Sequence, residues 1–251
     1  MGYGEEMRLA IVSDAHLHDP RSLRQRAFVS FLGGLETDRL VLLGDVFHAW
    51  GGVGALPPPS VAPACDALER LRSAGLPITF IPGNHELRAG AYLRDRLGLE
   101  VRGAHVDDST GSGLVLAHGD EGDSRLGYRF ARGLLRSPPF AWVLKRMGPI
   151  RAQSLLERLA GDAAAVDGRD PELVQLQRSW AARHLSREVL AVVLGHSHVA
   201  GLHDTAAGLV VHTGAWAGQR TWVEVADGRI ALMRWHPAGS DLLDARAWPP
   251  G

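Results

Sequence analysis

The chain has 251 residues, with 27 basic and 28 acidic side chains, a formal net charge of −1, 45% hydrophobic residues and a single cysteine. That length and apolar fraction can fill a sizeable α/β core, and the near-neutral charge gives no general pull toward nucleic acid. Cys65 alone cannot form an internal disulfide, which suits a reducing cytosol, and the opening MGYGEEMRLAIVSDAH is acidic with an apolar run that stops at Val12, so neither a signal peptide nor a spanning helix is expected.

Strand and helix alternate along the chain. Met7 to Asp14 (MRLAIVSD) reads as a buried strand, RSLRQRAFVSFLGGL as an amphipathic helix ended by Gly33 and Gly34, and Arg39 to Asp45 (RLVLLGD) as the next strand, together a βαβ unit. Beyond the breaker-rich loop GGVGALPPPS, ACDALERLRSAG predicts a helix and LPITFIPGN a third strand. Gly113 to Asp120 and the run REVLAVVLGHSH predict a fourth and a fifth. If the fifth strand continues to its last residue, His196 and His198 leave it on the same face. The tail segments GLVVHTG, RTWVEVADG and RIALMRW alternate apolar and polar residues around turns and predict antiparallel strands flanking the sheet.

The ends of these strands carry the chemistry. SDAHLH, LGDVFHAW, PGNHE, AHGD and GHSH each place Asp, Asn or His within a residue or two of Gly or Ser. In open α/β sheets ligand sites form at such carboxyl ends, where side chains from different strands meet. Asp14, His16, Asp45, Asn84, His118, His196 and His198 supply two carboxylates, one amide and four imidazoles, enough for two metal ions if one carboxylate bridges. A mixed nitrogen and oxygen set without thiolate favours Mn²⁺, Fe or Zn²⁺.

In order and spelling, these blocks resemble the signature of calcineurin-like metallophosphoesterases, D-x-H, G-D-x, G-N-H-[DE], H-G-D and G-H-x-H, over residues 11 to 198. The resemblance implies a calcineurin-like phosphoesterase fold: a mixed-sheet αββα sandwich forming one domain over residues 1–251, with a helical lid insertion at about 123–186. It also implies a dinuclear site in which Asp14, His16 and His198 hold one divalent ion, Asn84, His118 and His196 hold the second, and Asp45 bridges them. Two such ions polarise a phosphoester and activate a water, so no serine or cysteine nucleophile is required. His85 is then expected to orient or protonate the leaving oxygen, with Glu86 as its supporting partner.

Three segments are similar to a narrower family, the UDP-2,3-diacylglucosamine diphosphatases of lipid A biosynthesis: LGDVFHAW to their LGD-[LI]-F-x-x-W block, AHGDEGDSRLGYRFAR to their H-G-D block, and HTGAW to their G-A-W segment. This resemblance implies hydrolysis of a UDP-linked diacyl sugar to UMP and 2,3-diacylglucosamine 1-phosphate, with Mn²⁺ the expected metal. Substrate contacts are expected from Asn84, Asp123, Tyr128, Arg129, Arg132 and Arg151. One departure is His85, where those enzymes usually carry Arg. Another is the loop LAGDAAAVDGRDPEL, which lacks Asn, Ser and Lys residues of the kind expected as lid contacts. From Arg125 to Arg158 there are eight basic residues against Glu157 alone, a local charge of +7 that leaves −8 for the rest of the chain. Leu126, Phe130, Trp142 and Ile150 are interleaved with these charges, a pattern that can meet anionic headgroups and shelter acyl chains. The expected location is cytoplasmic, at the inner face of the inner membrane in peripheral contact, with no nucleic acid and no protein partner. Two other readings stay open: a phosphoesterase of nucleotides or phosphoproteins, with the basic segment a surface helix pair, and a metal-stabilised scaffold without catalysis.

His18, His48, His105, His184, His203, His212 and His236 lack ligand spacing to the core set and read as surface or satisfied core histidines, His18 and His48 being placed to rim the site. Trp50, Trp216 and Trp222 read as packing residues.

Overall fold

The computed structural model describes residues 7–53, 57–103, 105–108, 113–161 and 170–249. The side chain of His105 and much of the loop from Leu159 to Leu173 lie outside that description.

Two sheets face each other. In the first, β1 (Leu9–Val12), β2 (Arg39–Leu43), β3 (Ile78–Ile81) and β4 (Glu100–Val101) run parallel. Beyond β1 the sheet continues through antiparallel β10 (Thr221–Ala226), β11 (Arg229–His236) and β12 (Gly239–Ala247). The second sheet has the order β5 (His105–Asp108), β6 (Leu114–Ala117), β7 (Ala191–Leu194), β9 (Gly208–Thr213), β8 (Ala200–Thr205).

The period of two along each strand builds three layers of contact. Leu9, Ile11, Val41, Leu43 and Ile81 meet Leu114, Leu116, Val193 and Val211 between the sheets. Their neighbours Ala10, Val12, Leu40, Leu42 and Phe80 face outward and pack with residues of α1 (Leu23–Gly33), α2 (Ala62–Ser73) and α3 (Gly90–Leu97). On the other side Val115, Ala117, Val192, Leu194 and Val210 pack with Ala181 of α7 (Pro171–Ala182). The result is the αββα sandwich that the resemblance implied. Burial on both faces is why the parallel strands read as unbroken apolar runs.

The tail differs from expectation. Gly208–Thr213 does not flank the sheet but sits inside the second one, parallel to β7 and antiparallel to β8. Several elements carried too weak a pattern to be predicted, the short β4, β5 and α8 (Trp216–Gln219) among them: β8 (AGLHDT) and the largely exposed β12 (GSDLLDARA) are polar, and α3 is only eight residues long and opens on glycine.

The cationic segment forms three short helices rather than a pair: α4 (Leu126–Arg136), α5 (Pro138–Met147) and α6 (Pro149–Ala160). Ser137 caps α5 by accepting from Phe140 N–H at 3.3 Å, and Gly148 turns the chain at φ 76° before α6. Leu144, Ala152 and Leu156 of α5 and α6 bury against Ala49, Val53 and Leu87, whereas α4 buries no residue.

A short helix, α8 (Trp216–Gln219), seats the β1 loop, with Trp216 N–H on the Ser13 carbonyl at 3.3 Å and Ala217 N–H on that of Asp14 at 3.0 Å. The Trp216 ring is buried against Phe28, Phe31 and Trp235 at centroid distances of 5.3, 4.5 and 5.6 Å. Trp216→Ala is expected to destabilise the protein by about 3–5 kcal/mol, the range for emptying a buried aromatic site. Urea unfolding of the metal-free protein measures this, and a loss below about 1 kcal/mol would refute the anchoring role.

Candidate metal centre

Each candidate ligand stands just past the end of a strand. Asp14 and His16 follow β1, Asp45 follows β2, Asn84 follows β3, His118 follows β6, and His196 and His198 follow β7. The β1 and β2 loops are tied together, Asp14 N–H donating to the Gly44 carbonyl at 3.0 Å and His16 N–H to that of Asp45 at 2.9 Å. Asp14, His16, Asp45, His196 and His198 all have left-handed φ between 45° and 67°. That conformation costs a non-glycine residue about 1–3 kcal/mol and persists where surrounding structure enforces it, typically at functional sites. Glycine is required beside them: a Cβ on Gly195 would lie 2.6 Å from Asp14 Oδ2.

The seven side chains converge in two groups. His16 Nε2 and His198 Nε2 are 3.1 Å apart, and Asp14 Oδ1 is 3.4 Å from the latter. Two donors about 2.1 Å from a shared ion and at right angles to each other are separated by roughly this distance. In the second group His118 Nε2 lies 3.3 Å from Asn84 Oδ1 and 3.3 Å from Asp45 Oδ2, with the His196 ring 5.2 Å from that of His118. His118 Nδ1 donates to the Leu43 carbonyl at 2.9 Å, which turns Nε2 toward the centre as the atom that would meet a metal. His196 and His198 therefore join different groups, but not by alternation along a strand. Strand β7 ends at Leu194, and left-handed turns at both histidines separate the rings.

The electrostatics suit cations. Burial pushes His16 down to about 3 and His196 to about 4, so both are neutral imidazoles able to coordinate. Burial alone would raise Asp14 and Asp45, but His198 and His118 beside the first and His85 and His118 beside the second hold both carboxylates below their ordinary value. His118 is raised despite its burial, because Asp45 draws positive charge toward itself. The donor set and its charge demand thus fit a pair of divalent ions.

Supporting residues lie behind the ligands. Glu86 was expected beside His85. Instead it is buried beneath the loops, accepting N–H bonds from Asp45 and Gly83 at 3.0 Å each and from Phe47 at 2.9 Å. Burial and the nearby Asp45 push Glu86 up to about 8, opposed by the bonds from Gly83 and Phe47. Ser13 Oγ donates to Asp14 Oδ2 and lies 2.7 Å from Thr213 Oγ1. The fully buried Gln177 of α7 donates from Nε2 to the carbonyls of Gly119 at 3.2 Å and Gly195 at 3.0 Å, clamping the loops that carry His118 and His196. Nothing in the segment VQLQRSW distinguishes Gln177 from a surface glutamine.

His85 Nδ1 donates to the His48 carbonyl at 2.6 Å, so its Nε2 faces the centre, 3.8 Å from Asp45 Oδ2. Asp123 and Tyr128 line one cavity with His85 and the candidate ligands His16, Asp45, Asn84 and His196. Asp123 pairs with Arg125 at 2.5 Å, while the Tyr128 hydroxyl donates to Asp120 at 3.3 Å and its ring lies 5.6 Å from that of His196. Arg132 binds Asp120 at 2.6 Å and, with Arg129, lines an adjoining cavity. Arg151 is exposed on α6 and lines neither cavity.

Among the other histidines, His48 does more than rim the site: it is buried, and its ring lies 5.7 Å from His85 and 6.2 Å from His16. His18 sits 5.1 Å from His48. His203 meets Arg178 at 3.0 Å, His184 the Trp180 carbonyl at 2.9 Å, and His236 Asp241 at 3.3 Å. His212 is buried but not satisfied. It has no hydrogen-bond partner among the described residues, and burial pushes it down to about 3.

Because Gln177 holds two ligand loops without touching the ligand atoms, Gln177→Leu is expected to weaken binding of one of the two ions about 10- to 100-fold, the usual effect of removing such support. Mn²⁺ titration of the metal-free protein, followed by elemental analysis, should give two tight ions in the parent and one in the variant. Two equally tight ions in both would rule the clamp out.

Residues 7–200 match the family model described as calcineurin-like phosphoesterase. The chain is 29% identical to a UDP-2,3-diacylglucosamine hydrolase of Pseudomonas putida, covering 78% of this chain and 83% of that protein. It is likewise 29% identical to one of Pseudomonas fluorescens, covering 97% and 99%. Among solved structures it is similar in fold to Yfce, a phosphoesterase from E. coli, at a TM-score of 0.50 and 16% identity, over 96% of this chain and 100% of that one. A Vacuolar Protein Sorting 29 structure from Cryptosporidium parvum matches at 0.50 and 12%, over 97% and 100%. The chain belongs to the calcineurin-like phosphoesterase family and is a metal-dependent hydrolase.

Proposed function

We propose that the protein hydrolyses the diphosphate of UDP-2,3-diacylglucosamine, adding water across one P–O bond to release UMP and 2,3-diacylglucosamine 1-phosphate. Asp14, His16 and His198 would hold one ion and Asn84, His118 and His196 the other, with Asp45 a ligand the two would share. When bound, the two ions, Mn²⁺ by preference, supply Lewis-acid polarisation of the phosphoryl oxygens and an activated water. His85, oriented by the His48 carbonyl, presents Nε2 to the centre and delivers a proton to the departing oxygen.

The observation that carries the lipid substrate is an apolar cavity of about 570 Å³ between the loop that follows His48 and α6. Trp50, Val53 and Pro57 form one wall and Pro149, Ile150 and Ala152 of α6 the other. Trp50 N–H donates to the His85 carbonyl at 3.1 Å, which ties one wall of this cavity to the backbone of the loop that bears His85. A cavity of this size and lining suits an aliphatic chain. The relatives named UDP-2,3-diacylglucosamine hydrolase support the same substrate. No helix among the described residues is long and apolar enough to cross a membrane. Exposed Leu126, Phe130 and Leu134 on α4, Trp142 on α5 and Ile150 on α6, set among arginines, suit peripheral contact with an anionic lipid surface at the cytoplasmic face of the inner membrane.

Hydrolysis of an aryl phosphodiester is expected only with divalent metal. His85→Ala should slow it by a factor of about 10² to 10⁴ while leaving metal content intact. Loss of metal together with activity would make His85 a ligand or a support rather than the proton donor.

Acylated UDP-2,3-diacylglucosamine in detergent micelles should release UMP far more efficiently than deacylated UDP-glucosamine. Ile150→Asp, which puts a charge at the mouth of the apolar cavity, should cut kcat/KM for the acylated substrate at least about tenfold, as expected for a carboxylate facing an acyl chain. Equal treatment of acylated and deacylated nucleotides by the parent enzyme would return the protein to a phosphoesterase of other specificity, with His85 in place of Arg as the first difference to examine.

A further inference from the structure

A second cavity, of about 380 Å³, adjoins the metal centre. Its basic wall is α4, where Arg129, Arg132 and Arg136 fall on one helical face. Facing them are Asp120 and Glu121, with Asp123 lining both this cavity and that of the metal centre. Arg136 donates from Nη2 to the Gly83 carbonyl at 3.2 Å, which sets it beside Asn84. Tyr128, which lines the metal-centre cavity, donates from its hydroxyl to Asp120 of this one at 3.3 Å.

The charges here do not cancel. Asp120 serves two arginines at once, binding Arg132 Nε at 2.6 Å and lying 3.7 Å from Arg136. Asp123 is taken by Arg125, bonded at 2.9 Å through Nε and 2.5 Å through Nη2. The Arg129 side chain has no hydrogen bond or ion pair among the described residues, and Arg132, bonded through Nε, keeps both terminal nitrogens unspent. Three guanidinium groups thus face two carboxylates, and their free N–H groups form planar forks of the kind that match phosphate oxygens.

We propose that this cavity is a second phosphoryl subsite, in which Arg129 and the unspent N–H groups of Arg132 and Arg136 hold the phosphoryl group of the substrate that the metals do not hold. The inference rests on the reading of the centre as a phosphoester hydrolase. A diphosphate carries one phosphoryl group beyond the one attacked, whereas a simple diester carries none. The subsite therefore favours diphosphates and holds one of the two phosphomonoester products apart from the metals.

Arg129→Gln isolates the effect, because Arg129 is exposed and bonded to nothing whose loss would disturb the fold. Inhibition of aryl diester hydrolysis by inorganic pyrophosphate, in excess Mn²⁺, should weaken about tenfold, while inhibition by inorganic phosphate changes less than twofold, the difference expected for one charge-assisted hydrogen bond. With UDP-2,3-diacylglucosamine the loss should fall on KM rather than kcat, and Arg129→Lys should recover part of it. Equal weakening of both inhibitors, or no weakening of pyrophosphate, overturns the subsite. If the lipid nucleotide is not turned over at all, the substrate reading fails, yet the comparison of the two inhibitors still decides the subsite by itself.

Discussion

Two carboxylates, Asp14 and Asp45, are buried at the ends of adjacent parallel strands, and no charge can stay there uncompensated. An isolated buried carboxylate costs several kcal/mol, so the surroundings must supply positive charge, hydrogen bonds or both. The structure supplies both. Ser13 and the His196 N–H bind Asp14, the His85 N–H binds Asp45, and His16, His118 and His198 turn ring nitrogens toward them. The remaining deficit is what a pair of divalent ions fills. The strained backbone at five of the candidate ligands follows from the same demand, because tight left-handed turns aim the donors of these loops at one point.

The group of helices α4 to α7 does more than line this centre. It is hydrogen-bonded into the ligand loops at three places: Gln177 on Gly119 and Gly195, Arg136 on Gly83, and Gln153 on the Ala49 carbonyl at 2.8 Å. Side chains proposed to meet substrate and side chains that hold the candidate ligand loops therefore share the same helices. Displacing α4 or α6 would disturb the metal loops as well as the cavities. The helices divide their chemistry by face, with arginines of α4 toward a polar cavity and Pro149, Ile150 and Ala152 of α6 toward an apolar one. A ligand that is anionic at one end and aliphatic at the other matches that division.

What the sequence by itself determined is local. Asp14, Asp45, Asn84, His118 and His196 were legible because each follows within three residues of an apolar run buried on both faces, and glycine beside most of them marks a tight turn. The five parallel strands and the helix ended by Gly33 and Gly34 were legible for the same reason: period and breakers lie within a dozen residues of one another. Only the tertiary structure decided the rest. Gln177 reaches carbonyls 58 and 18 residues away, and Glu86 takes backbone donors from a loop about 40 residues earlier. Gly208–Thr213 runs parallel to β7 because β8 reverses the chain between them, and His196 and His198 part company through turns rather than a pleat. Such contacts are made between side chains and distant backbone groups, and hydrogen bonding across a fold imposes no period on the sequence that makes it.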